Sequence, residues 1–468
     1  MTRMNYNTLF LVISVTVLSL GLIFNVPYVV FYGFGASILA LGIIFFSIDV
    51  LILTLILIRP SLDILGDITI PVALDFPQLN IAGVVALISI VLSWIITAQR
   101  TSSLRSIPLF WPLTIFMGTY ILFVFGANNP QQAIEEVVRV FSFVSIYFAG
   151  YVLVNNWQDV KMIIGAFIIS SIVPVLVGLF QLITEQGLYT NPGFDNRIAG
   201  TFGHPNVLGY YLLIIIVFIS YSLVQNIERK KEKLLLSLYS LLIIIVLINT
   251  YTRGAWIGSF FFLGGVCFVQ YPKKTLQAGG ALVPLTSISL FLYNWLQSEV
   301  FFTWPRLAGI PIVSRILGLF SADPSDSILW RMQMWQDMFT KALERPFRGF
   351  GTGMDTTMVE SVRGISLGSL EVHNDYLKLF LEMGIWGPLV FLGVGAATFW
   401  ILIRHLRSRH DHLVLMLIFL TFVIYFSSGY DNILRQTAVM WMYFTFLGVG
   451  MKSITQIRSQ SFSNSKFH

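Results

Sequence analysis

A chain of 468 residues that is 56% hydrophobic and only 11% charged, with mean hydropathy +0.78, does not suit a soluble core, since soluble domains carry about 25% charged residues. Its solvent is lipid, where backbone groups must be satisfied internally, so the spans are helices or a closed barrel. One cysteine, Cys267, leaves no intrachain disulfide, and no Cys/His cluster has the spacing of a zinc site.

The apolar runs are continuous rather than alternating, as in Val207–Val224 and Leu234–Ile248, which selects helices. Crossing the hydrocarbon takes about 17–25 residues. In chain order the candidate spans are 9–24, 28–46, 47–58, 80–97, 108–126, 137–154, 162–183, 207–224, 234–250, 255–269, 279–296, 376–403, 411–428 and 437–451. The stretch 28–58 reads as one tilted helix or a hairpin broken near Asp49, so the expectation is an all-α polytopic membrane protein with about 12–14 transmembrane helices. Apolar sequence follows Arg3 with no small-residue cleavage site, so the start reads as a first span rather than a signal peptide. The whole chain, 1–468, reads as a single integral membrane domain.

Basic loops orient it. With a cytoplasmic amino terminus, the inner side holds 16 Lys+Arg against 5 Asp+Glu, and the outer side 13 against 18. The expected location is the plasma (inner) membrane, with both termini cytoplasmic. Of the 13 outer bases, 11 are arginine, whose planar fork binds phosphate or carboxylate bidentately. Pairing with the outer acids is the plainer use of any one of them.

Three polar clusters fall at outer helix starts, where the positive dipole end favours anions. His204-Pro205-Asn206 follows a loop ending in Arg197; Thr252-Arg253-Gly254-Ala255-Trp256 opens the span after it but one; His373-Asn374-Asp375 opens another. Thr252 and Asn374 equally fit plain helix caps, and His204-Pro205 a loop followed by a first-turn proline. Arg253 has no acid within four residues, and a boundary arginine is a functional candidate. Glu135/Glu136 with Arg139, and Asp431 with Arg435, have the spacing of helical ion pairs and read as structural.

The large outer loop, 297–375, contains an amphipathic repeat from Ile328 to Leu343 behind the cap signal Asp326/Ser327 and ahead of Pro346. It reads as a helix on the membrane or over a cavity. Arg348-Gly349-Phe350-Gly351-Thr352-Gly353 reads as a flexible turn, and without a following Lys-Ser/Thr it is no P-loop.

Thr252-Arg253-Gly254-Ala255-Trp256, the large loop, then His373-Asn374 and, nine residues on, Gly384-Ile385-Trp386-Gly387 resemble the O-antigen ligase and polymerase superfamily. Gly200-Thr201-Phe202-Gly203-His204-Pro205-Asn206 is a frequent companion, so the motif region covers 200–390. The resemblance implies a metal-independent membrane glycosyltransferase without a cofactor. Such an enzyme takes a glycan from an undecaprenyl-pyrophosphate carrier and gives it to an acceptor glycan or lipid, or a protein hydroxyl, at the outer face. Its partners are then that donor, the acceptor and membrane lipid, with no nucleic acid. Within it, His373 suits a general base. Arg253 suits the leaving pyrophosphate, with Arg197 a second candidate, and Asn374 and His204 complete the candidate substrate-binding set. Asp375 and Glu382 are candidates to orient His373, and Arg59, Arg315 and Arg331 are further arginines to place. The competing class is a transporter of a small anion or lipid-linked sugar; against it, no inverted repeat or matched pair of broken helices appears.

Overall fold

A computed structural model describes residues 48–63, 69–70, 79–188, 197–224, 230–270, 273, 327–364, 371–406 and 411–457. The expected spans 9–24, 28–46 and 279–296 lie outside the described residues, as does the loop segment 297–326 with Arg315.

The helices are α1 (Ile48–Leu62), α2 (Ile81–Arg100), α3 (Phe110–Val124), α4 (Pro130–Leu153), α5 (Trp157–Ser170), α6 (Ile172–Thr184), α7 (Pro205–Val224), α8 (Lys230–Asn249) and α9 (Arg253–Gln270). After the large loop come α10 (Ser327–Ala342), α11 (Asp355–Arg363), α12 (Asp375–Met383), α13 (Trp386–His405), α14 (His412–Ser427) and α15 (Thr437–Lys452). The one exception to the all-α expectation among the described residues is a two-residue antiparallel pair, Thr69↔Asn80 and Ile70↔Leu79.

Among the described residues six helical stretches are long and apolar enough to cross a membrane: α2, α4, α5 with α6, α7, α8 and α13; α3 and α14 are shorter apolar helices. The chain is a polytopic membrane protein. Its centre is the α4/α15 pair, where lipid offers no hydrophobic drive and small residues let backbones approach. A Cβ on Gly150 would lie 2.6 Å from the Thr445 carbonyl, and one on Gly448 would strike that of Tyr147. Trp441 closes the seam by donating Nε1–H to Ser142 Oγ at 2.9 Å.

One expected span is broken. The stretch 162–183 stays a single span, Trp157–Thr184, with only a turn at Ser171 between α5 and α6. The stretch 376–403 is divided at Gly384, which takes φ +60°, while the next amide, Ile385 N–H, donates to the Pro346 carbonyl at 2.8 Å. Thus the membrane-crossing helix starts at Trp386, and α12 is a separate short helix beneath the loop.

The glycine-rich turn is the clearest departure from expectation. It is wedged, not free. Thr352 donates its amide to Phe123 O (3.1 Å) and its hydroxyl to Tyr120 O (2.9 Å), while Phe350 and Gly351 donate to Leu381 O and Glu382 O. Gly349, Gly351 and Gly353 all have positive φ, and a Cβ on each would run into backbone of α12, the α3–α4 junction or α4. Glycine is needed here for close approach. The amphipathic helix α10 forms where expected and buries Met334 and Met338 with Met354, Val359 and Val372 in a second core.

Candidate active site

The three polar clusters meet at one end of the bundle. Gln181 of α6 pins the loop before α7, accepting from the amides of Ala199 (3.0 Å) and Gly200 (2.8 Å). That places Arg197 among three helix ends. Its Nε donates to Thr250 O at 2.8 Å, and its Nη2 to Asn206 Oδ1 at 2.9 Å and Thr252 Oγ1 at 3.1 Å. Asn206 then donates Nδ2–H to Asp431 Oδ2 at 2.9 Å, and Asp431 Oδ1 faces His373 Nδ1 at 3.4 Å.

His373 is 9% exposed and has φ +52°, a left-handed conformation that costs a side-chain-bearing residue about 1–3 kcal/mol. Its flanks hold it there. Trp335 donates Nε1–H to Val372 O at 2.9 Å, and Asp375 N–H donates to Ser428 O at 2.7 Å. Trp330 of α10 meets the imidazole edge-on at 6.1 Å between ring centres.

Asp431 is the partner that sequence reasoning missed. It does not pair with Arg435. Ile433–Arg435 is a short 3-10 turn in a loop, so the helical i,i+4 geometry that would join the two never forms. Arg435 instead donates to Asp355 Oδ1 (2.6 Å) and Glu371 Oε1 (3.3 Å), and Asn432 Nδ2 donates to Glu371 Oε2 (2.8 Å). Burial opposes charge on Asp431, yet the hydrogen bond with His373 and the Arg331 guanidinium hold its carboxyl well below the usual range. Burial likewise opposes charge on Glu371, but Arg435 and His373 keep its carboxyl low. Neither Asp375 nor Glu382 orients His373. Asp375 Oδ2 accepts from Leu434 N–H at 3.1 Å, and Glu382 lies 3.9 Å from Lys378.

The remaining candidates take their places. Asn374 caps α12, its Oδ1 accepting from Leu377 N–H at 3.1 Å. His204 Nδ1 accepts from Asn206 N–H at 3.1 Å at the start of α7. Burial, then the Arg197 charge, push His204 down to about 4, so it is neutral at pH 7. Arg253 is the first residue of α9, behind Tyr251 at φ +50°. Its neighbour Gly254 is held by Tyr430, whose hydroxyl donates to Gly254 O at 3.2 Å. Arg331 donates Nη1–H to Tyr430 O at 2.7 Å, reaching the same loop from α10. Arg59 pairs with Asp63 and lies over Trp441, in the apolar wall beside α15. The helical pair Glu136–Arg139 forms as expected, and Lys378, fully buried, joins Glu136 from α12.

One end of a membrane bundle therefore carries a carboxylate-oriented histidine among arginines at helix starts. The O-antigen ligase family profile matches residues 238–392, which span Arg253, the large loop, His373 and Gly387. The chain is similar to the O-antigen ligase family over that region, about a third of its length. The match supports a membrane enzyme of glycan assembly, of ligase or polymerase type. No curated protein matches the chain. Arg197, Asn206 and Asp431 lie outside the matched ligase region and join it only through folding.

Proposed function

We propose that this protein transfers a glycan from an undecaprenyl-pyrophosphate carrier to an acceptor hydroxyl at the outer face of the plasma membrane, without a metal. The observation that carries the reading is the contact of His373 Nδ1 with the ionised Asp431. A carboxylate there accepts Nδ1–H and leaves the Nε2 lone pair to act as base.

In the proposed step, Nε2 takes the proton of the acceptor hydroxyl as its oxygen attacks the anomeric carbon. The bond from that carbon to the pyrophosphate oxygen breaks on the opposite side, and the pyrophosphate leaves with the electron pair, so the sugar centre inverts. Negative charge grows on the leaving group. Arg253, at a helix start, and Arg331, reaching over from α10, are assigned to it. In this reading His204 and Asn374 shape the site as caps. The outer-face orientation is supported by the excess of basic residues in the other set of loops. The rival transporter reading draws no support from a site at one end of the bundle, since coupled transporters bind near the bilayer midplane.

The test is transfer from an undecaprenyl-pyrophosphate oligosaccharide in membranes, with products sized on a gel, for wild type, His373→Ala and Arg253→Ala at matched expression. Loss of transfer in both variants, and no effect of EDTA on wild type, is expected. A ladder of products marks a polymerase and one discrete shift a ligase. Wild-type transfer by His373→Ala, or net retention at the anomeric carbon, refutes the mechanism.

A further inference from the structure

Arg197 is one of the arginines that a phosphate-handling site would be expected to use on its substrate. Its guanidinium is instead engaged by the protein. Nε–H and Nη2–H reach Thr250 O, Asn206 Oδ1 and Thr252 Oγ1 at 2.8, 2.9 and 3.1 Å, joining the end of α8 to the starts of α9 and α7. Thr252 in turn donates its hydroxyl to Pro205 O at 3.2 Å.

The consequence lies in Asn206. A primary amide has one acceptor end and one donor end, and which way it points decides what it can do for a neighbouring carboxylate. With Arg197 on its oxygen, the Asn206 amide must present Nδ2–H to Asp431 Oδ2, at 2.9 Å. Asp431 Oδ2 is thereby fixed by Asn206, while Oδ1 accepts from the Asn432 N–H at 2.9 Å and faces His373 Nδ1. Asn206 is 7% exposed and Asp431 4%, so solvent does not readily replace a lost link, and Thr252 Oγ1 reaches Asn206 Oδ1 only at 3.4 Å.

We propose that Arg197 and Asn206 are positioning residues for the transfer step: Arg197 sets the Asn206 amide, which holds Asp431 against His373. The inference rests on His373 being the base. Arg197 then acts on the rate of the chemical step rather than on donor affinity. A charge bound to pyrophosphate would do the reverse, and a neutral amide could not share its phenotype.

The experiment measures kcat and donor KM with an undecaprenyl-pyrophosphate oligosaccharide on purified full-length protein in nanodiscs. The variants are Arg197→Gln, Asn206→Ala and the double variant, with Arg197→Ala alongside, and size-exclusion profiles confirm folded protein. Expected is a fall in kcat of about tenfold or more in each single variant, with donor KM within about twofold of wild type. The double variant should be no slower than the worse single one, because the two residues act through one link. A raised donor KM with unchanged kcat in the Arg197 variants, or multiplied losses in the double variant, overturns the relay. Should Arg197→Gln fail to fold, Asn206→Ala decides alone: an unchanged kcat refutes the proposal. Activity in His373→Ala would instead sink the underlying assignment of the base, and that outcome is read separately.

Discussion

Lys378 offers the sharpest stability test. It has no solvent exposure, and its ammonium bonds Glu136 of α4, itself 2% exposed, with Glu382 3.9 Å away. Replacing Lys378 by Met keeps the side-chain length but leaves the Glu136 carboxylate buried with one cation fewer. Breaking a buried pair from one side costs about 3–5 kcal/mol. Arg139 still bonds Glu136, so the expected loss lies toward the lower figure, about 3 kcal/mol. Replacing both partners, in Glu136→Gln/Lys378→Met, removes the stranded charge and should recover most of that loss, giving a coupling of at least about 2 kcal/mol. Equilibrium unfolding of the purified protein in mixed micelles measures Lys378→Met, Glu136→Gln and the double variant. A loss under about 1 kcal/mol for Lys378→Met, or a double variant as unstable as the sum of the singles, would show that the pair does not carry this load.

Asp431→Asn should leave the fold intact and lower kcat by about 10²–10⁴-fold, because an amide does not hold the imidazole in the required tautomer; transfer within threefold of wild type would remove Asp431 from the mechanism. Gly351→Ala should cost at least about 1–3 kcal/mol, since φ is +101° and the new Cβ runs into the Ala127 backbone. Gly165→Ala, with nothing within 4 Å, is the matched control and should be neutral or stabilising in the same unfolding assay. Burial raises the Asp375 carboxyl to about 7, against the partial opposition of Lys378. Its contribution to stability is therefore fully present below the unfolded value of about 4 and is lost as pH rises through about 7. Asp375→Asn should flatten the stability–pH curve across that window, and an unchanged slope would contradict the assignment.

Sequence and structure divide the site unevenly. The placement of His373, Arg253 and Asn374 beside helix starts was legible, because a helix start is visible in local sequence as a polar cap ahead of an apolar run. The glycine-rich turn was misread because glycine signals freedom or close approach alike. Only the carbonyls of Tyr120, Phe123, Leu381 and Glu382 around it show which applies. Asp431 was misassigned for a related reason: spacing to Arg435 predicts contact only inside a helix, and residues 429–436 are a loop.

What the sequence determined by itself is the solvent and the local geometry: too few charges for water, runs long enough to span, and caps that say where helices begin. What only the tertiary structure decided is which helix beginnings meet. Asn206 and Asp431 are 225 residues apart and His373 and Asp431 are 58 apart. No local pattern encodes such contacts, because they depend on which faces of α7, α12 and α14 pack together after every span is in place. The chemistry of the site is a property of that packing.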